Sequence, residues 1–418
     1  MIRSSKHTLK FTNNSKLLNI NILVDQYRSL VQNIIDNIWN SNYKIFSVQN
    51  NKLECPKFLD TNYLNQFNSE LSARLKQCAG KQALAMLSAA TELRRKQLWM
   101  LRKLQKSRLS HRALQRKIGL FPLVKPNASN INMELDSRFV DFKFTDQKEF
   151  ICFVRLTSYQ KGQSIKIPVK HSPVFEKWNA LGNMKKSIRI SKENIILYFE
   201  VKDTDKKTTG NTVGCDQGIV DVITLSDKQH TSLYQGKYSL SDIQKRLCRK
   251  QKGSKATKRT EKFRTNMINW SINQLNFSGI KELRVEKLLN VRKGRRVSKF
   301  LSHWTYTEIN AKLKRVSEEK GFLYREVPNE FRSQRCSECG WVRKANRKGK
   351  TFCCTKCRNT VDADLNAASN LELDLYEVPY WVRLKRINRV GFYWRAEGLF
   401  DESQESIVPD TSLKNKIP

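Results

Sequence analysis

The sequence predicts a multidomain protein of the mixed α+β class, and three observations carry this prediction. Apolar residues recur at helical spacing over residues 20 to 40 and from about Asn68 to Lys117. Short apolar stretches between turn residues then predict strands from Phe139 to Val201. Two Cys-x-x-Cys pairs lie near residue 340, in a half of the chain where strands and helices alternate. A chain of 418 residues has room for two to four domains.

The charge of the chain points to a polyanionic partner. There are 78 Lys and Arg against 39 Asp and Glu, so the formal net charge is +39. Such a charge destabilises a compact state unless a polyanion neutralises it, which makes nucleic acid the expected partner. A basic ribosomal or chromatin protein shares this feature, but the 39% hydrophobic content and 8 Trp favour a large folded core over a tail-like binder.

No apolar run is long enough to span a bilayer, and the basic N-terminus lacks the apolar segment of a secretory signal. A transit peptide is less favoured than a first strand, since Leu9 and Phe11 alternate with polar residues. If that strand pairs with the later strands, the helical block is an insertion into the β region. The cysteine pattern fits a reducing compartment, so we expect a cytosolic or nucleoid-associated protein that does not enter a membrane.

Four cysteines form a candidate metal site. Cys336 and Cys339 make the first pair, and Cys354 and Cys357 make the second. Four thiolates in two such pairs are typical of a structural zinc site. Cys353 is not counted as a ligand, because only Cys354 has the two-residue spacing to Cys357.

Two basic regions are candidate nucleic-acid contacts. The polar side of the second helical stretch carries Arg94, Arg95, Arg102 and Lys103, and residues 245 to 264 contain ten Lys or Arg with one acid. Lys245, Arg246, Arg249 and Lys250 begin this second region. A run of charge is often only the solvated face of a helix, but the single sign favours a surface that follows phosphates.

Three carboxylates are candidate metal ligands. Asp216 ends a buried strand in TVGCDQGIVDVITLSD, where we expect a hairpin with a tight connection at Gln217-Gly218 and Asp221 at the surface. Burying an ionised carboxylate there is costly unless it is paired or binds a metal. Glu286 lies near the end of the strand Glu282 to Leu288, just before a basic loop with Arg292, Arg295 and Arg296. Such a glutamate suits a site that acts on phosphodiesters, although alone it is a weak signal.

The third carboxylate opens a small-residue helix. Asp362 and Asp364 precede Asn366, Ala367 and Ala368, and alanines allow a helix to lie close against a sheet. An aspartate here can be an ordinary N-cap or a ligand, and this motif alone does not separate the two. The positions of Asp216, Glu286 and Asp364 on a first strand, a later strand and a last helix resemble the ribonuclease-H-like fold of RuvC nucleases.

The motifs together resemble a known family. GCDQG, VEKL, CSECG and the second Cys-x-x-Cys pair followed by DADLNAASNL closely resemble TnpB, the RNA-guided nuclease encoded by insertion sequences, and its relatives, the miniature type V CRISPR effectors. The resemblance is specific from about residue 205 to 372. It implies that Asp216, Glu286 and Asp364 hold two Mg²⁺ and that Cys336, Cys339, Cys354 and Cys357 hold zinc. Gln217, Arg332 and Arg358 depart from the family pattern, and none of the three departures removes a ligand.

The resemblance also implies an architecture. We expect a RuvC nuclease with an inserted zinc ribbon, preceded by a small β-barrel-like domain with a helical insertion. The expected segments are a first strand (1–20), a helical recognition domain (21–130), a β-barrel-like wedge domain (131–204), the first part of the nuclease (205–332), the zinc ribbon (333–360), the last nuclease helix (361–376) and a partly disordered tail (377–418).

The implied activity is Mg²⁺-dependent cleavage of DNA directed by a guide RNA. Base pairing supplies the specificity, and the double-stranded target is unwound on binding. We expect a monomer. A miniature CRISPR effector, a DNA-only transposase and a nuclease-inactive RNA-guided regulator are the alternatives. The last should have lost an acid, whereas all three are present, and the zinc ribbon before the third acid argues against the transposase.

Overall fold

The protein is described here from a computed structural model that covers residues 1–41, 57–105, 124–146, 149–160, 163–288, 298–379, 381–382 and 387–407. The chain divides into two compact units, Met1–Lys202 and Asp203–Pro418. Over the described ranges, we find no helix with the length and apolar character needed to cross a membrane.

The first unit contains a helical block. Its helices are α1 (Asn14–Ser41), α2 (Thr61–Asn65) and α3 (Ala73–Gln105). The two long helices pack against each other, and buried Tyr27, Val31 and Leu75 belong to the core of this unit. Helix α1 begins six residues before the predicted stretch, because polar Asn14, Ser15 and Lys16 form its first turn.

The described part of the first unit also contains two antiparallel sheets and one more helix. One has the order β1-β7-β6-β2 and the other the order β3-β4-β5. The strands are β1 (Ile2–Thr8), β2 (Met133–Leu135), β3 (Val140–Phe144), β4 (Phe150–Gln160), β5 (Gln163–Lys170), β6 (Gly182–Ile190) and β7 (Asn194–Val201). Helix α4 (Pro173–Leu181), capped by Ser172, was not predicted.

The first strand pairs antiparallel with β7, which is the last strand of this unit in the sequence. Ile2 lies opposite Glu200 and Thr8 opposite Asn194. The helical block is therefore inserted between the first strand and its partners, as the sequence allowed. The strand covers residues 2–8 rather than the predicted alternation at residues 8–12, because the chain turns at Leu9 and Thr12.

The second unit is built on a sheet with the order β11-β10-β8-β9. Its strands are β8 (Asn211–Asp216), β9 (Thr224–Leu225), β10 (Ile280–Glu286) and β11 (Leu323–Val327). Strands β8, β10 and β11 are parallel, whereas β9 pairs antiparallel with the end of β8. The predicted tight hairpin at Gln217-Gly218 is wrong, since residues 217–223 separate the two strands.

Helices flank this sheet. They are α5 (Leu240–Cys248), α6 (Lys255–Asn273), α7 (Lys299–Ser302), α8 (Tyr306–Lys320) and α9 (Ala363–Glu372). The basic region of residues 245 to 264 covers the end of α5 and the start of α6, and Gly253, with a left-handed φ of +81°, lies between the two helices. Ser239 and Asp242 form a capping box at the start of α5.

The cysteine region forms a small sheet that leads into α9. Strands β13 (Arg347–Lys348), β14 (Thr351–Cys353) and β15 (Thr360–Asp362) pair in that order, and α9 begins at the next residue. The remaining ribbon strand, β12 (Trp341–Val342), pairs with β16 (Phe392–Trp394), which pairs with β17 (Leu399–Phe400).

The C-terminal segment corrects one expectation. The sequence predicts a partly disordered tail over 377–418, with an acidic part from Asp401. The described part of this segment instead packs on the ribbon. Its residues Val378, Val382, Phe392, Trp394 and Leu399 form one buried apolar cluster with Val342 of the ribbon. The acidic part is also ordered as far as residue 407, with Ile407 donating to the Leu399 carbonyl. Residues 408–418 lie outside the described residues.

Candidate active site and cysteine cluster

Two of the three candidate carboxylates end neighbouring parallel strands. Cys215 on β8 lies opposite Val285 on β10, so Asp216 and Glu286 are the next residues along the two strands. Both strands carry buried apolar residues up to that point, because both belong to the core of the sheet. The carboxylates therefore meet at the carboxyl edge of the sheet, as the sequence predicts.

The third carboxylate, Asp364, lies in the first turn of α9, which packs against β8. The helix lies so close to β8 that a Cβ added to Gly214 would be 1.9 Å from the carbonyl oxygen of Ala368. Glycine permits this approach because it has no Cβ. Asp362 is the N-cap, since its Oδ1 accepts the backbone N–H groups of Asp364 at 2.9 Å and Leu365 at 3.0 Å. The two aspartates thus have different positions: Asp362 caps the helix, and Asp364, the candidate ligand chosen from the sequence, is buried.

The pKa values of Asp216 and Glu286 are both raised. Burial raises the pKa of Asp216 well above its ordinary value, and the charges of Glu286 and Asp364 raise it further, against Arg347 and Lys350. Burial also raises the pKa of Glu286 to about 7, although a hydrogen bond with Asn329 and the charge of Arg347 act in the opposite direction. Ionised acids brought together in this way are stabilised by a nearby positive charge.

Two cations from the ribbon hairpin reach the third acid, and sequence reasoning missed both. Arg347 donates to Asp364 Oδ1 at 2.9 Å, and the Lys350 ammonium bonds Asp364 Oδ2. Lys350 also lies 3.1 Å from Asp221 Oδ2. Asp221, predicted at the surface, has a side chain that is 32% exposed and takes part in this ion pair. The basic residues around Gly349 were the one sign of these contacts in the sequence. Which carboxylates they bind depends on the tertiary structure.

Gln217 adds a polar group beside Asp216. Its Nε2 donates to Asn310 Oδ1 on α8 at 2.7 Å, while its buried Oε1 has no hydrogen-bond partner within the described residues. Gln217, which departs from the family pattern, therefore links the end of β8 to α8 by a hydrogen bond.

The four predicted cysteines come together. The sulfur atoms of Cys336, Cys339, Cys354 and Cys357 all lie within 4.8 Å of one another. Cys336 and Cys357 are 3.6 Å apart, as are Cys339 and Cys354. Cys353 is exposed on β14 and does not belong to the cluster.

The candidate nucleic-acid residues differ in their exposure and in their contacts with other side chains. Lys245, Arg246 and Arg249 are exposed at the end of α5, and Arg246 lies 4.5 Å from the Tyr238 ring. Lys250 instead bonds the Ala256 carbonyl at 3.3 Å and the Thr260 hydroxyl. Arg95 is paired with Glu92, and Arg102 is exposed.

Arg94 differs from the expectation of an exposed basic face. It is only 8% exposed and donates to Gln97 at 3.3 Å, since it lies on the inner side of α3. The side chain of Lys103 and the residues Arg292, Arg295 and Arg296 lie outside the described residues.

One family model matches part of the second unit, and relatives align with short stretches of the chain. The family model of the Cas12f1-like TNB domain matches residues 306–371. The CRISPR-associated endodeoxyribonuclease Cas12f1 of Sulfoacidibacillus thermotolerans is 36% identical over 96 residues, which cover 23% of this chain and 22% of the relative. The putative transposase A625R of Paramecium bursaria Chlorella virus 1 is 38% identical over 73 residues, or 18% of this chain and 16% of the relative. The chain thus aligns with about a fifth of the length of these curated relatives.

A solved structure shows the same fold over a longer stretch. CasPhi-2 (Cas12j) bound to crRNA superposes with a TM-score of 0.54 at 9% identity, covering 89% of this chain and 97% of that one. The mixed α+β architecture is therefore that of a Cas12 effector. Residues 306–371 match the Cas12f1-like TNB domain, and the chain resembles the miniature type V effectors and the TnpB group, as its motifs predicted.

Proposed function

We propose that the protein is an RNA-guided DNA endonuclease whose RuvC-like site hydrolyses phosphodiesters with Mg²⁺. The proposal is supported by Asp216 and Glu286, which end neighbouring parallel strands, and by Asp364 on the helix packed against β8, whose charge acts on Asp216. The names of the Cas12f1 relatives and of the matched structure support the choice of DNA as substrate and RNA as guide.

The donor set fits magnesium. Mg²⁺ prefers carboxylate oxygens, and three acids in a buried site lower their mutual repulsion by binding it. Asp216, Glu286 and Asp364 would hold the ions, which supply a nucleophilic water and stabilise the leaving oxygen. Arg347 and Lys350 place two positive charges on the side of Asp364, where they balance the acids and present donors to an approaching phosphate.

The cysteine cluster fits structural zinc. Four sulfurs at roughly 2.3 Å from a tetrahedral ion lie about 3.8 Å apart, close to the two observed separations of 3.6 Å. Cys336, Cys339, Cys354 and Cys357 would complete the coordination, which leaves no open position for catalysis. The ion would thereby stabilise the hairpin that carries Arg347 and Lys350.

Nucleic acid is the proposed partner of both units. The net charge of +39 exceeds what a short DNA contact could neutralise, so a long structured RNA should accompany the protein. On the described surface, Lys245, Arg246 and Arg249 are the exposed candidates of the basic region. Exposed cations of this kind follow phosphates without reading sequence.

The test has two parts. Asp216→Ala, Glu286→Ala and Asp364→Ala should each abolish Mg²⁺-dependent DNA cleavage while RNA and target binding stay measurable. Glu372→Ala, at the exposed end of the helix that carries Asp364, is the matched control and should cut normally. Normal cutting by the Asp216 variant would refute the site.

Sequencing the RNA that purifies with the protein tests the guide. Expression together with the flanking genomic sequence should yield one defined RNA, and cutting should follow the sequence of its free end. Recovery of random cellular RNA, with cutting that needs none of it, would favour a DNA-only transposase. The name of one relative, a putative transposase, supports this second candidate function. Neighbouring DNA separates a TnpB protein, next to transposon ends, from a CRISPR effector, next to a repeat array.

A further inference from the structure

We propose that Lys350 is a resident counter-ion of the acid site, which a divalent metal must displace from Asp364, and that Asp221 holds the displaced ammonium at the rim. This inference rests on the proposed function, since it assigns a role at the same site. The ammonium bridges Asp364 Oδ2 and Asp221 Oδ2. The Asp364 side chain is 7% exposed, whereas those of Asp221 and Lys350 are 32% and 47% exposed.

The backbone of Lys350 is fixed relative to Asp364. The Lys350 carbonyl accepts the N–H of Ala363 at 2.8 Å, and Thr351 lies opposite Asp362 in the β14–β15 pair. The main chain therefore cannot carry the ammonium away without breaking the start of α9. Only the four-carbon side chain can move, and it can leave Asp364 while keeping its contact with Asp221.

An ammonium and a divalent cation that contact the same oxygen of Asp364 repel each other. Mg²⁺ bound to Oδ2 would place its two positive charges beside the ammonium, and this repulsion favours withdrawal of the ammonium toward Asp221. Arg347 bonds the other oxygen, Oδ1, and need not move. Metal binding is then an exchange of one cation for another, and its apparent affinity is lowered by the strength of the Lys350–Asp364 contact.

Two substitutions should shift the metal requirement in opposite directions. Lys350→Met removes the competitor, so the half-saturating Mg²⁺ concentration should fall about tenfold, which corresponds to about 1.4 kcal/mol. Asp221→Asn removes the partner that stabilises the displaced ammonium, so the concentration should rise about threefold. The double variant should behave like Lys350→Met, because Asp221 acts only through Lys350.

The measurement should report metal occupancy at the protein rather than cleavage of DNA. Fe²⁺ bound in place of Mg²⁺, with ascorbate and peroxide, cuts the polypeptide near the ion, and added Mg²⁺ suppresses these cuts. The full-length protein with its bound RNA is used, and the Mg²⁺ concentration that halves the cuts near residues 216, 286 and 364 is compared between variants. Lys348→Met is the matched control, since Lys348 is an exposed lysine on the same hairpin, and it should leave this concentration unchanged.

The outcomes separate this inference from the proposed function. Absence of local cuts in the parent, or cuts that persist unchanged in Asp216→Asn, would refute the metal site itself. Local cuts whose Mg²⁺ dependence is the same in Lys350→Met and Lys348→Met would overturn only the counter-ion role. Lys350→Arg keeps the charge and should stay within about threefold of the parent. A shift as large as that of Lys350→Met would also overturn the inference, because removal of charge would then not be the cause.

Discussion

Replacing Glu286 by Gln should stabilise the second unit in the absence of divalent metal, at the expense of catalysis. Burial raises the pKa of this carboxyl from 4.5 to about 7. Since each pKa unit corresponds to 1.36 kcal/mol, the ionised carboxylate costs about 3 kcal/mol once the pH is well above 7. Glutamine keeps the shape and can still bond Asn329, but it carries no charge.

The sign of the pH dependence follows from proton binding. The folded state holds its proton more tightly than the unfolded state between pH 4.5 and about 7. The free energy of unfolding of the parent therefore falls as the pH rises through this window and levels off above it. Glu286→Gln lacks this contribution, so its advantage should be about 3 kcal/mol at pH 8 and below about 1 kcal/mol at pH 5.

Hydrogen exchange of the β8 and β10 amides measures this effect locally, because the slowest amides report the opening free energy of the sheet. The full-length protein is studied in buffer freed of divalent metal by resin, and rates are corrected for the intrinsic effect of pH. Glu372→Gln, an exposed acid on α9, should change these amides little at either pH. A Glu286→Gln protein that is less stable than the parent at pH 8, or an advantage that is the same at both pH values, would refute the electrostatic reasoning.

Two further predictions concern the ribbon and the packing of α9. Purified protein should contain about one Zn²⁺ per chain, measured by metal analysis. Cys354→Ser should lower this zinc content, whereas Cys353→Ser should not. Equal loss of zinc from both variants would show that the cluster is wrongly assigned. Gly214→Ala should destabilise the sheet by about 1–3 kcal/mol, because its Cβ would meet backbone atoms of α9. Gly279→Ala, whose Cβ would meet nothing within 4 Å, is the control, and similar exchange rates for β8 in both variants would contradict the close-packing argument.

Local patterns predicted the parts of the site that depend on strand periodicity and spacing. Asp216 and Glu286 end strands whose apolar residues are continuous in sequence, and the Cys-x-x-Cys spacing brings each sulfur pair together by itself. The close approach of α9 followed from alanines in its sequence, with Gly214 as the partner on β8. These features need only a few neighbouring residues to be recognised.

Features that depend on pairing between distant segments were not predictable. The ion pairs of Lys350 with Asp221 and Asp364 join residues that are 129 and 14 positions apart. The sheet between β12 and β16 joins the ribbon to a C-terminal segment whose apolar residues follow neither a helical nor a strand period. Arg94 was placed on the wrong side of α3, because a basic residue inside a basic run carries no signal of burial.

The geometry couples the two candidate metal sites. Strand β15 ends at Asp362, the residue that caps α9, and Asp364 follows within the first turn. The second Cys-x-x-Cys pair lies between β14 and β15, so loss of zinc should loosen the strand that fixes the start of this helix. The same hairpin carries Arg347 and Lys350, whose charges balance the acids. A cysteine variant should therefore weaken DNA cleavage by displacing Asp364 and Arg347, although none of its sulfur ligands touches the acid site.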